Sequence, residues 1–139
     1  MMAAPILLDT CAAMFLVAGE PMADAARERI NASAASGAPL HVSPITAWEV
    51  GMMVGRGRFR SSLTPQRWFE ALRTLPGVTL CALTAEILMQ SWCLPGNLNR
   101  DPADRIIAAT AREYGFTVVT RDLRLLAYGG AGHIRALAC

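Results

Sequence analysis

Lysine is missing from this chain: all 13 basic residues are arginine. That absence excludes a Schiff-base lysine, a phosphate-loop lysine and any lysine general base. Histidine is scarce, with only His41 and His133, and the four cysteines at 11, 81, 93 and 139 form no Cys-x-x-Cys pair. A structural zinc site is therefore not expected; free thiols in a reducing cytoplasm are. Charged residues make up 17% of the chain, below the usual ~25%, and hydrophobic residues 53%, which rules out a disordered, solvating chain. The best apolar run near the start, residues 11–19, is far too short to span a bilayer, and the first arginine is Arg27. A soluble, cytoplasmic protein with no membrane attachment is the expectation.

What is present reads as one domain over residues 1–139, long enough to bury about 68–70% of its unfolded surface without staples. The apolar excess implies a surface covered by a partner. A net charge of +2 is too small to establish nucleic-acid binding. Even so, every cation is a permanently charged planar fork suited to phosphate.

Short apolar runs alternate with helical patterns. Residues 6–8, 40–42, 78–81, 117–119 and 134–137 predict strands. Helices are predicted over 10–18, 23–35, 65–74, 84–93 and 102–114, with one helical turn at 123–126. Ser43-Pro44 supplies a cap followed by proline at the first helical position, starting a helix through about Met53. Gly37 and Gly115 are stop signals. Strands alternating with helices indicate a parallel α/β sheet covered on both faces, and runs such as Ile6-Leu7-Leu8 are continuously apolar, as two-sided burial requires. Ligands of such sheets bind beyond the carboxyl ends of the strands.

Four of the five aspartates fall where that rule points. Asp9 follows the first strand directly, Asp122 follows the fourth, and Asp101 and Asp104 open the helix that feeds the fourth strand. Glu49 lies two turns into the helix after the second strand, between Trp48 and Val50. Crowded carboxylates repel one another and their pKa values rise unless a cation offsets them. Hard oxygen ligands without histidine or cysteine favour Mg²⁺ or Mn²⁺ over Zn²⁺, and a metal so held lowers the pKa of a water for in-line attack on a phosphodiester. Each acid also has a purely structural reading. Asp9, Asp101 and Asp122 fit helix caps, Asp104 favours a helix dipole, and Glu49 fits a solvated helix face.

Other signals are weaker. Gly55 and Gly57 lack the third glycine of a dinucleotide fingerprint. His41 and His133 read as packing or surface residues, and Trp48, Trp68 and Trp92 as core or interface. Arg56, Arg58 and Arg60 form a basic run that is either a solvated loop or a grip on phosphates or an acidic partner. Arg100, Arg105, Arg121 and Arg124 flank the acids, where they either hold an RNA backbone or form salt bridges.

Four segments together carry a resemblance: L-L-D-T-C at 7–11, V-S-P-I-T-A-W-E-V at 42–50, D-P-A-D-R-I-I-A-A-T-A at 101–111 and V-V-T-R-D at 118–122. In this order and spacing they resemble the PIN domain, and most of all the VapC-type toxins of bacterial type II toxin–antitoxin systems. The resemblance implies a three-layer α/β/α fold with a five-stranded parallel sheet. It implies a Mg²⁺- or Mn²⁺-dependent endoribonuclease, usually dimeric and held inactive by a small antitoxin. Carried over by motif, the acidic metal-site residues are Asp9, Glu49, Asp104 and Asp122, with Asp101 in a second tier. Thr10, Ser43 and Thr120 match polar positions that support the ligands. Many relatives carry histidine where Asn99 stands, which removes a proton shuttle at that spot. Arg56, Arg58, Arg60, Arg105 and Arg121 are the candidate contacts to RNA or partner, and the apolar, tryptophan-bearing helices after the second strand are the candidate seat of an antitoxin helix. Two rival functions stand beside this one. A PIN fold that binds RNA or antitoxin without cutting needs the same surface but no strong metal binding. A phosphatase with Asp9 as nucleophile would need a second aspartate where Cys11 stands, and usually a lysine.

Overall fold

The computed structural model describes residues 4–139. Its core is a sheet of five parallel strands in the order β3-β2-β1-β4-β5. They are β1 (Ile6–Leu8), β2 (Leu40–Val42), β3 (Val78–Leu80), β4 (Thr117–Thr120) and β5 (Arg135–Ala138). The central strands β1 and β4 are buried along their whole length, which explains the unbroken apolar run of β1 and the Val118-Val119 centre of β4, whose ends are the buried threonines Thr117 and Thr120. Ile6, Leu7 and Leu8 pair with Leu40, His41 and Val42 on one side and with Thr117, Val118 and Val119 on the other.

Seven helices cover the two faces among the described residues: α1 (Thr10–Ala18), α2 (Asp24–Ser36), α3 (Ile45–Gly55), α4 (Pro65–Thr74), α5 (Ala85–Gln90), α6 (Pro102–Tyr114) and α7 (Leu123–Gly130). The strand pleat sends Ile6, Leu8 and Val119 into one core with Ala12 and Ala13 of α1, Ile30 of α2 and Trp68 and Leu72 of α4. It sends Leu7 and Val118 into a second core with Ile106 and Ile107 of α6 and Leu125 and Tyr128 of α7. Helix α3 crosses from one layer to the other: Ile45 packs in the second core, Val50 in the first. The result is the three-layer α/β/α architecture with a five-stranded parallel sheet. No helix among the described residues is long and apolar enough to cross a membrane.

Local departures from the sequence pattern have physical causes. Helix α3 starts at Ile45, with Pro44 in the cap position, and the Ser43 hydroxyl instead accepts the Ile45 N–H at 3.1 Å. Helix α5 stops at Gln90, where the Ser91 hydroxyl donates back to Leu88 O at 2.6 Å. Helix α7 runs to Gly130 rather than for a single turn, although a Gly129-Gly130 pair is a poor helix former. Packing overrides propensity here. Leu125 and Tyr128 are buried, and a Cβ on Gly129 would stand 2.7 Å from the Ala136 Cβ of β5, so only glycine lets the helix lie this close to the strand.

The topology directs attention to one place. From β1 the chain winds outward through β2 to β3, and later returns to the other side of β1 as β4 and β5. The winding direction reverses between β1 and β4, and the crevice at their carboxyl ends is where such a sheet accepts a ligand.

Candidate active site

A cavity of about 300 Å³ opens at that crevice, lined by Asp9, Thr10, Cys11, Met14, Glu49, Met53, Asp104, Ile107, Arg121 and Asp122. Four carboxylates from four separate segments meet here: the end of β1, the middle of α3, the first turn of α6 and the cap of α7.

Asp9 is buried at 7% exposure and both its oxygens are engaged. Oδ1 accepts the Ala12 N–H at 2.8 Å, capping α1, and Oδ2 accepts the Thr120 hydroxyl. Burial pushes its carboxyl above the ordinary value, against the opposing effect of the Thr120 and Ala12 bonds. Glu49 accepts the Thr10 hydroxyl at 2.5 Å, and Thr10 in turn lies 3.0 Å from the buried Thr46 hydroxyl. Burial pushes Glu49 up to about 7; the Thr10 bond opposes the shift, while the charges of Asp104, Asp101 and Asp9 add to it. Asp104 accepts from the Asn99 amide at 3.1 Å, yet burial and the neighbouring charges of Asp122 and Asp101 push it up to about 6.

Asp122 behaves differently. Burial pulls its carboxyl up, but hydrogen bonds from the Arg124 side chain and from the N–H groups of Leu125 and Arg124 together outweigh it, and it sits below the ordinary value. Arg124 Nη2 lies 3.3 Å from Asp122 Oδ2 and 3.4 Å from Asp104 Oδ2, a single guanidinium between two acids.

The other sequence candidates divide. Thr10 and Thr120 hydrogen-bond site carboxylates, whereas Ser43 is buried and engaged with Ile45 N at the start of α3. Asp101 is exposed and does not line the cavity; its Oδ1 caps α6 through Ala103 N at 2.9 Å and Asp104 N at 3.3 Å. Arg121 lines the cavity and is held in place by Cys139 O at 3.1 Å, Pro21 O at 3.4 Å and the Phe15 ring 3.9 Å below its Cζ. Arg105 does not line it: its guanidinium donates to Ser91 O, Leu98 O and Asn99 O and lies against the Trp92 ring, tying down the loop before α6. Arg56, Arg58 and Arg60 are exposed after α3, outside the cavity. His41 stacks on Phe116 at 4.4 Å and His133 packs on Tyr128 at 4.8 Å, both away from the acids. Arg124, one of the arginines flanking the acids in the sequence, forms the salt bridges to Asp104 and Asp122, and Asn99 is an amide donor to Asp104. Thr46, which holds the Thr10 hydroxyl, is the neighbour that the sequence did not point to.

Three of the four acids are pushed upward together, so the cavity holds more negative charge than its surroundings solvate. Its four acidic donors are hard oxygen ligands, with no histidine among the lining residues, which suits Mg²⁺ or Mn²⁺. Among the described residues no three acidic, histidine or cysteine side chains converge closely enough to form a finished cage. Mg²⁺ does not demand one, since it keeps several waters and typically takes only one or two protein carboxylates. The donor set therefore fits such an ion. Cys11 reaches the same cavity, but burial and the charge of Asp9 push its thiol up, which disfavours the thiolate a nucleophile needs.

These features define a class: an open parallel α/β domain whose switch-point crevice is an acidic, hard-oxygen cavity. Residues 6–131 match the PIN domain model, and the chain belongs to the PIN domain family. Over 86 residues it is 31% identical to Ribonuclease VapC22 of Mycobacterium tuberculosis, an alignment taking in 62% of this chain; the chain spans 65% of the length of that curated relative. Among solved structures, DNA-bound VapBC from Salmonella typhimurium aligns with a TM-score of 0.67 at 22% identity, covering 98% of each chain. A toxin–antitoxin complex from Klebsiella pneumoniae aligns with a TM-score of 0.55 at 23% identity, covering 88% of this chain and 90% of that one. At these identities the structural likeness speaks for the fold.

Proposed function

We propose that this protein is a Mg²⁺- or Mn²⁺-dependent endoribonuclease acting as the toxin of a toxin–antitoxin pair. The observation that carries this reading is the meeting of Asp9, Glu49, Asp104 and Asp122 in one cavity, three of them pushed above their ordinary pKa values. The 31% identity to a ribonuclease supports it.

In this reading Asp9, Glu49, Asp104 and Asp122 hold the ion, which when bound supplies Lewis-acid polarisation of the phosphodiester and a lowered water pKa. Thr120 and Thr10 fix the oxygens of Asp9 and Glu49 by hydrogen bonding, so those carboxylates keep their direction without reorganising. Arg121, immobilised by two carbonyls and a ring, offers a preset positive charge to the backbone of a single RNA strand. The cognate antitoxin is a small protein whose helix seats in the apolar groove of about 390 Å³ between α3 and α4, lined by Ala47, Val50, Gly51, Pro65, Gln66 and Phe69. Trp48, Met89 and Trp92 are large apolar residues left 53%, 67% and 54% exposed, apolar surface available to a second copy of the chain.

Incubation with total cellular RNA, with and without Mg²⁺, tests the activity. Cleavage is expected only with the ion, and Asp9→Asn is expected to lower it by roughly 10³-fold or more, in line with losing a group that acts on the transition state. Full metal-dependent cutting by a correctly folded Asp9→Asn protein would sink the proposal. A PIN fold that binds RNA or antitoxin without cutting is the rival reading. It predicts RNA or antitoxin binding with no cleavage under any divalent ion.

A further inference from the structure

Two arginines reach the acidic crevice and they are held in opposite ways. Arg121 is held by protein groups other than the site carboxylates: the Cys139 and Pro21 backbone oxygens and the Phe15 ring. The Arg124 side chain is 58% exposed, and its recorded polar partners are the carboxylates of Asp104 and Asp122, at 3.4 and 3.3 Å. Those two acids stand 18 residues apart on α6 and on the cap of α7; both line the cavity, and Arg124 links them from just outside its lining. Both contacts come from one nitrogen, Nη2, which stands between the two carboxylates and leaves the rest of the guanidinium free to face solvent.

We propose that Arg124 is the resident counter-cation of the cavity, bridging Asp104 and Asp122 in the ion-free protein, and that an incoming divalent cation competes with it and displaces it. The inference rests on the metal-dependent reading above. Its physical basis is that the same carboxylate oxygens cannot serve both cations at full strength. The side chain is exposed and long enough to swing outward, so displacement costs no core packing. Once displaced, it stands at the cavity mouth as an uncommitted planar cation, suited to a phosphate of the bound strand. The charge arrangement thereby makes ion binding and RNA binding mutually supportive: the ion releases the phosphate-binding group.

Calorimetric titration with Mn²⁺ of the wild-type chain, Arg124→Ala, Arg124→Lys and the control Arg27→Ala tests this directly. Arg27 pairs with Asp24 on the exposed face of α2, so its removal reports the effect of net charge alone. Arg124→Ala is expected to bind Mn²⁺ about three- to tenfold more tightly than wild type, the scale of removing two partly exposed ion pairs. Arg124→Lys is expected to fall between, and Arg27→Ala to match wild type. In a second readout, Mn²⁺ is expected to tighten binding of a short single-stranded RNA at 4 °C in the wild type and to do so less in Arg124→Ala. Equal or weaker Mn²⁺ affinity in Arg124→Ala overturns the inference while leaving the metal reading intact. Mn²⁺ binding by neither protein removes the metal reading and this inference with it. A gain in Arg27→Ala equal to that in Arg124→Ala reduces the effect to net charge and also overturns it.

Discussion

Glu49 shows how the fold strains a residue that looks ordinary in a helix. Its carboxyl is half-buried over the cavity, accepts the Thr10 hydroxyl, and is pushed to about 7 by burial and by the acids opposite. Asp104 is pushed to about 6 in the same way. Both folded-state values lie above those of the unfolded chain, so the native protein holds protons that the unfolded chain has released. That difference contributes stability below pH 4, and it is lost as pH rises through about 6 for Asp104 and about 7 for Glu49. With a chelator present, the melting temperature is therefore expected to fall between pH 5 and pH 8, by an amount equivalent to a stability loss on the order of 1–3 kcal/mol. Thermal melts in EDTA across this range measure it. A Glu49→Gln variant should lose the part of the slope near pH 7, and an unchanged slope would show that the acid is not strained in the folded state.

At the scale of elements, the acids serve as helix starters as well as site groups. Asp9, Asp101 and Asp122 cap α1, α6 and α7, so the capping and metal-site readings of the sequence do not exclude one another for Asp9 and Asp122. A cap must stand at the strand-to-helix turn, and that turn is also where the sheet opens to ligand. Asp101 separates the two roles, because it caps α6 from an exposed position outside the cavity. Asp101→Asn keeps a good capping side chain and is expected to leave both stability and Mn²⁺ affinity within a factor of two of wild type; Asp101→Ala is expected to cost about 1 kcal/mol of stability. Denaturant melts with Mn²⁺ calorimetry distinguish the cases, and a large loss of ion affinity in Asp101→Asn would place this acid among the ligands. The same element logic explains what the sequence revealed and what it hid. Strand β1 is readable because burial on both faces leaves an unbroken apolar run, and β4 by its Val118-Val119 centre. Helix α7 exceeds the single turn that the sequence suggests, because Leu125 and Tyr128 are buried and Gly129 lets the helix lie close to Ala136 of β5, an approach no local pattern displays. Arg105 looked like an RNA contact from its place beside Asp104, but the loop carbonyls that claim it are set by the fold of residues 91–99, which no local pattern displays.

Across the whole molecule, the cavity joins parts of the chain that the sheet otherwise keeps in separate layers. Asp9 leaves β1 and caps α1, whose Ala12 and Ala13 pack in the first core; Asp104 and Asp122 belong to the helices of the second; and Glu49 rides on α3, which packs into both. An ion shared by these groups would bind only the assembled arrangement, since the unfolded chain scatters the same carboxylates over more than a hundred residues. Binding to the native state alone stabilises it by RT ln(1 + [L]/Kd), about 2.7 kcal/mol when the ion is at a hundredfold its Kd. For a domain of this size, at roughly 3–5 °C per kcal/mol, the melting temperature should rise by about 10 °C in saturating Mn²⁺. Protonation of Glu49 and Asp104 competes with the ion, so the rise should be largest at pH 8 and shrink markedly by pH 5. Asp9→Asn should abolish most of it at either pH, because the neutral amide keeps the cap on α1 but withdraws one charge from the crevice. Scanning fluorimetry with Mn²⁺ and with Ca²⁺ at the two pH values measures all of this. A melting temperature indifferent to the ion at pH 8 would mean that the four acids share a cavity without sharing a cation, and the nuclease reading would fall with that result.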